Sequence, residues 1–186
     1  MKKNYKRNWL FKLKSLAVFG SMLFAGSAMA QLSGSYTIDA GGGGDFLSFT
    51  ELSDTLLSDG VSGAVTVDVA VGSGPYSEDF YLDDIAGASS TNTITINGND
   101  EKIVSSKSTV IELEGTDFIG FYDLVIESTS TSGNRLVTAY KGIESITFDG
   151  CEIIASSSQT YTSYPSYYNS MYMSFGDQTF TYQDGS

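Results

Sequence analysis

Apolar residues follow two different periods along this chain. Phe49, Leu52 and Leu56 recur at helical spacing, and Gly60 supplies a stop. Just ahead of them, Ser48-Phe49-Thr50-Glu51 has the capping-box spacing, in which the serine hydroxyl and the glutamate carboxylate satisfy each other's free backbone donors. This pattern predicts one short amphipathic helix over residues 49–57. From Val61 onward the period is two: Ala64 to Val69, Thr93 to Ile96 and Val110 to Glu114 alternate, β-branched residues dominate, and Gly, Ser, Asn and Asp separate the runs. These are short strands joined by turns. Tyr36-Thr37-Ile38 predicts one more strand ahead of the flexible run Gly41 to Gly44.

The strand pattern repeats. Ile119-Gly120-Phe121-Tyr122-Asp123-Leu124-Val125-Ile126 and Ile146-Thr147-Phe148-Asp149-Gly150-Cys151-Glu152-Ile153 share apolar positions 1, 3, 6 and 8 at an offset of 27 residues. Met173 to Phe180 keeps positions 1, 3 and 8 after another 27, and Ile94-Thr95-Ile96-Asn97-Gly98 matches the start of the unit at an offset of 25. Positions 1 and 3 point to one side of a strand, the next two residues make a corner, and 6 and 8 point inward from a second strand. Stacked coils would then place Ile119 over Ile146 over Met173, filling an interior that one coil cannot close. A β-sandwich also has short strands and turns but no reason for a constant offset. The predicted fold is all-β: a right-handed parallel β-helix with one short N-terminal capping helix.

The first thirty residues stand apart. A basic stretch from Lys2 to Lys14, an apolar run from Leu16 to Phe24 and the ending Ala28-Met29-Ala30 are the three parts of a secretory signal peptide, with cleavage expected after Ala30. The apolar run is shorter than the roughly 20 residues that a membrane span requires. Residues 31–60 are then the N-terminal strand and capping helix, and 61–186 the coils. Removing the leader changes the charge. Of 10 Lys and Arg, only Lys102, Lys107, Arg135 and Lys141 remain against 22 Asp and Glu, which leaves −18 rather than −12. Such a surface repels nucleic acid and anionic lipid, so neither nucleic-acid binding nor membrane insertion after cleavage is expected.

Gly44-Asp45-Phe46-Leu47-Ser48-Phe49, Gly60-Val61-Ser62-Gly63-Ala64-Val65, Gly74-Pro75-Tyr76-Ser77-Glu78, Ile85-Ala86-Gly87-Ala88-Ser89 and Asn92-Thr93-Ile94-Thr95 carry a family resemblance. The stretch resembles the start of right-handed parallel β-helix proteins of the pectate-lyase and pectin-esterase superfamily. It is particularly similar to the large secreted β-helix repeat proteins of bacterial cell surfaces. The resemblance implies that the helix shields one end of the solenoid and that the Gly-x-Tyr-x-Glu segment belongs to the first turn. With the repeat it covers about residues 36–155. It implies no single activity, because the superfamily holds lyases, esterases, hydrolases and non-catalytic adhesive proteins.

Composition narrows the chemistry. There is no histidine and only one cysteine, Cys151, so histidine-based nucleophile systems, internal disulfides and Cys-built zinc sites are excluded. Asp117-Phe118-Ile119-Gly120 resembles the pectin-esterase motif with a nucleophilic aspartate, but glycine replaces its second phenylalanine, the companion glutamine and arginine motifs do not occur, and Ile119 is explained as a core rung. In this superfamily arginine usually supplies the lyase base, and Arg135 is the only mature arginine. Glu78, Asp79, Asp83 and Asp84 cluster within seven residues, and Asn97, Asn99, Asp100 and Glu101 form a second oxygen-rich group. Calcium takes six to eight oxygen ligands, so the first cluster is the candidate Ca2+ site. Neither group has EF-hand or nonapeptide calcium-repeat spacing. Glu112 and Glu114 read as the wet face of a strand, although paired carboxylates can hydrolyse glycosides without histidine. Cys151 takes the Leu124 position of the preceding unit and reads as a core thiol.

Tyr161, Tyr164, Tyr167 and Tyr168 lie in a Ser-rich loop around 156–168, where exposed rings can stack on sugars or cover the coil beneath. They are the candidate ligand-binding residues. Without a polar cap after Phe180, the last coil is expected to be covered by another element or continued by a longer chain. The expected role is a secreted or cell-surface scaffold for adhesion or glycan binding, its partner an extracellular glycan or surface protein. The alternative is the N-terminal part of a polysaccharide-active enzyme with its catalytic residues mostly beyond 186.

Overall fold

The computed structural model describes residues 31–131, 135–155, 171–172 and 180–182. The expected leader, Tyr161, Tyr164, Tyr167, Tyr168 and Met173 lie outside them. The described chain runs β1 (Leu32–Ile38), α1 (Phe49–Asp59), β2 (Val61–Val69), β3 (Tyr76–Ser77), β4 (Phe80–Leu82), β5 (Ile94–Asn97), β6 (Lys102–Ser105) and β7 (Ile111–Glu114). It continues with β8 (Ile119–Tyr122), β9 (Val125–Ser128), β10 (Val137–Tyr140), β11 (Ile146–Asp149), β12 (Glu152–Ala155), β13 (Met171–Tyr172) and β14 (Phe180–Tyr182).

From β2 onward, every third strand returns to the same sheet. Sheet A is ordered β1-β2-β5-β8-β11-β14, sheet B β12-β9-β6-β3 and sheet C β13-β10-β7-β4. Pairing is parallel from β1 to β12, which makes a parallel β-solenoid of about four turns. Apolar ladders fill the interior as the period-two pattern requires. Val65, Ile94, Ile119 and Ile146 are consecutive partners in sheet A, as are Val67, Ile96, Phe121 and Phe148, and all eight are buried. Sheet B adds Tyr76, Ile103 and Ile126, and sheet C adds Phe80, Ile111 and Val137.

The sheet A ladder from Val65 to Ile94, Ile119 and Ile146 advances by 29, 25 and 27 residues, so the coil length is not constant. Extra residues go into corners. Between β5 and β6 the corner is Gly98 to Glu101, whereas Asp123 and Leu124 suffice between β8 and β9. Asn99, Asp100 and Asp123 take positive φ there (51°, 61° and 47°), a conformation that Asn and Asp tolerate better than most residues.

The expected third parallel unit requires correction. Ile146 is flanked by Ile119 on one side and by Tyr182 of β14 on the other, and β14 runs antiparallel to β11. β13 likewise pairs antiparallel with β10. The spacing of Met173, Phe175 and Phe180 matched the repeat, but spacing alone does not give strand direction.

The helix replaces strands at the β1 end of the stack. Phe49, Leu52 and Leu56 are fully buried, each worth about 1.5–3 kcal/mol. Phe49 meets Tyr76 and Phe80 edge to face at centroid distances of 5.1 and 5.7 Å. The capping box forms only in part. Ser48 Oγ accepts from Glu51 N (3.1 Å), but Glu51 Oε2 accepts from Leu47 N (2.7 Å) rather than from Ser48. Gly60, at φ 69°, ends the helix two residues later than the apolar spacing predicts and donates to Leu56 O. Among the described residues no helix is long and apolar enough to cross a membrane.

Candidate functional site

Most of the acidic side chains named from the sequence are tied to the neighbouring coil. Glu78, in the corner after β3, accepts from Phe49 N (3.0 Å), Thr50 N (2.9 Å) and Thr50 Oγ1 (2.5 Å), so a residue about 28 positions away caps the helix. Asp79 takes the Ser105 hydroxyl and pairs with Lys107. Asp83 caps Asp84 N (2.8 Å) and receives a long bond from Tyr81 (3.4 Å). The four candidate calcium ligands are therefore not gathered around one point, and no group of three or more His, Cys, Asp or Glu among the described residues is arranged to hold a metal. The second oxygen-rich group behaves similarly. Asn97 Nδ2 donates to Asp68, Asn99 Nδ2 donates to Val69 O, and Glu101 accepts from Gly72 N and Gly74 N.

Sheet C gathers a different cluster on its outer face. Tyr81, Glu112 and Thr138 are consecutive partners across β4, β7 and β10, and Glu114 pairs with Tyr140. Strand alternation turns Ile111, Leu113, Val137 and Ala139 inward, so these polar residues face outward. Tyr140 OH lies 2.8 Å from Glu112 Oε1 and 3.0 Å from Glu114 Oε2. Tyr81 OH donates to Glu114 Oε2 at 3.1 Å, and Lys141 pairs with Glu114 Oε1. Thr138 Oγ1 is buried and without a hydrogen-bond partner among the described residues. Alternation alone gives Glu112 and Glu114 as the wet face of a strand and does not single out Tyr81 or Tyr140. The common period of about 27 residues was the available signal, since Tyr140 lies 28 and 26 positions from the two glutamates.

The hydrogen bond to Glu112, then burial, pushes the Tyr140 hydroxyl from 10.0 up to about 12. A tyrosinate absorbance titration should therefore show one late ionisation near pH 12 that Tyr140→Phe removes. Because the folded value lies above the unfolded one, this contribution to stability is whole below about pH 10 and lost as pH rises through about 12. A titration with no such late step, or one that Tyr140→Phe leaves unchanged, overturns the assignment.

Asp117 is half-buried, and its Oδ1 accepts from Glu144 N at 2.5 Å. Burial, with Glu144 and Asp84 nearby, raises its pKa. Its carboxylate thus joins two successive corners. Arg135 is half-exposed ahead of β10. Cys151 is buried at the Leu124 corner position, with Sγ 3.4 Å from Phe121 O, and burial pushes its thiol pKa up, as for an inert core thiol. Comparison with family models, with curated proteins and with solved structures gives no match.

Proposed function

We propose that this chain is a secreted or cell-surface β-helix scaffold for adhesion, of the right-handed kind seen in the pectate-lyase-like superfamily that its sequence resembles. Its outer face of sheet C meets a glycan or a surface protein. The observation that carries this reading is the outward group of Tyr81 and Tyr140 among Asp83, Glu112 and Glu114. Tyrosine rings offer flat apolar area, and carboxylates accept bonds from sugar hydroxyls.

The test is an oligosaccharide array with purified protein, comparing wild type with Tyr81→Ala and Glu112→Gln. Roughly tenfold weaker binding in each is expected, the size of one lost aromatic or charged hydrogen-bond contact. No binding to any glycan or isolated surface protein sinks the reading.

One observation favours the enzymatic alternative. A single tyrosine hydroxyl bonded to both Glu112 and Glu114 holds an oxygen of each within about 6 Å of the other, close to the ~5–5.5 Å separation of retaining glycosidases. Release of reducing sugar that is abolished by both Glu112→Gln and Glu114→Gln would establish this alternative over a binding scaffold.

A further inference from the structure

Gly120 interrupts a row of hydroxyl side chains on the outer face of sheet A. Thr66, Thr95, Gly120 and Thr147 are consecutive partners across β2, β5, β8 and β11. Gly120, with the Tyr122 ring folded over it, lies in the lining of a cavity of about 280 Å3. Hydroxyls of Ser90, Thr93, Thr95, Ser145 and Thr147 line it, and Phe118 and Tyr122 supply rings.

Three properties describe this cavity. The first is shape: a β-carbon added to Gly120 would lie 2.7 Å from Tyr122 Cε2, so the tyrosine ring lies flat on the outer face, over the position a side chain would take. The second is hydrogen bonding. None of the five lining Ser and Thr hydroxyls, nor that of Tyr122, has a partner among the described residues, so all six are open to a ligand or to water. The third is charge: no residue that lines the cavity is ionisable to a carboxylate or ammonium, in a chain with 22 acids.

We propose that this cavity is a subsite for one uncharged pyranose ring of a glycan. Thr95 and Thr147 stand on the strands either side of Gly120, roughly 9.5 Å apart at two strand spacings, and bracket the Tyr122 ring that covers the glycine, on which a sugar ring can stack. The ring's C–H face packs on Tyr122, and its hydroxyls exchange bonds with the threonine and serine hydroxyls in place of water. A uronate meets no cation in the lining and is repelled by the acidic surface beyond it. The site is separate from the sheet C cluster, and the two stand or fall independently.

The experiment is an NMR titration of the purified protein with cellobiose, xylobiose and mannobiose, and with digalacturonate as the charged comparison. At least one neutral disaccharide should bind with roughly millimolar affinity, as expected for a few productive ring contacts, and with little dependence on salt. Tyr122→Ala should weaken it roughly tenfold. Gly120→Thr restores the threonine row and suits a strand, but its β-carbon collides with the Tyr122 ring, so it should abolish binding by displacing that ring. A circular dichroism melt checks that each variant is folded, and Tyr122→Ala alone carries the test if Gly120→Thr is not. Failure of all three neutral sugars, equal binding in folded Tyr122→Ala, or tighter binding of digalacturonate overturns the proposal. Binding that falls in Tyr81→Ala but not in Tyr122→Ala overturns it while leaving the sheet C reading intact.

Discussion

Replacing Phe121 with alanine is expected to destabilise the protein by about 4 kcal/mol, within the ~3–5 kcal/mol range for deleting a fully buried phenylalanine. The ring sits at the middle of an aromatic column that begins on the helix. Phe49 packs edge to face on Phe80, Phe80 on Phe121 at 5.9 Å, and Phe121 stacks on Phe148 at 4.7 Å with an interplanar angle of 9°. Removing it opens a void between two coils whose backbones are held at strand spacing and cannot close in. In a solenoid each coil is stabilised mainly by its neighbours, so the damage falls on the junction between the β5 and β11 coils. Urea denaturation of the variant measures the loss. A change under about 1 kcal/mol would mean that the column is not packed as described.

Glu78→Ala is expected to cost about 2–3 kcal/mol, because it strands charge-assisted partners at a helix terminus. Phe49 N, Thr50 N and Thr50 Oγ1 all lose their acceptor, and the carboxylate no longer offsets the positive end of α1. The helix covers the apolar end of the stack, so its undocking exposes Leu52 and Leu56 as well. Glu78→Gln should lose about half as much, since one amide oxygen still accepts but the charge is gone. Thermal melts with calcium and with a chelator separate this role from metal binding. An equal loss in both is the expected result, and a loss seen only with calcium would restore Glu78 as a metal ligand.

Elements governed by local rules were legible in the residues themselves. Phe49, Leu52 and Leu56 mark the helix, and the alternation in Thr93 to Ile96 and Val110 to Glu114 marks strands with one face inward, because both follow from side-chain direction within a few residues. The repeat went further, since coincident apolar positions at one offset stack Ile119 on Ile146 and Phe121 on Phe148. It misled at the last unit, where Phe180 falls at the repeat's offset yet lies in β14, which runs antiparallel to β11. The acid cluster around Glu78 misled differently. Proximity in the chain suggested a shared ligand, while Glu78 caps the helix, Asp79 takes Ser105 on the neighbouring coil and Asp83 turns to the backbone of the next residue.

The order of residues thus determines the solenoid, its capping helix, its buried rungs and its acidity, all of which depend on neighbours in sequence or on a near-constant period. Which outward side chains meet was decided only by the tertiary structure. Coil steps of 29, 25 and 27 residues set the register, and a one-residue change in a corner would turn a side chain to the other face. That register brings Tyr140 to two glutamates and sets Gly120 between two threonines. Contacts across coils therefore rest on the corner lengths and strand directions summed around each turn, which no single strand's pattern contains.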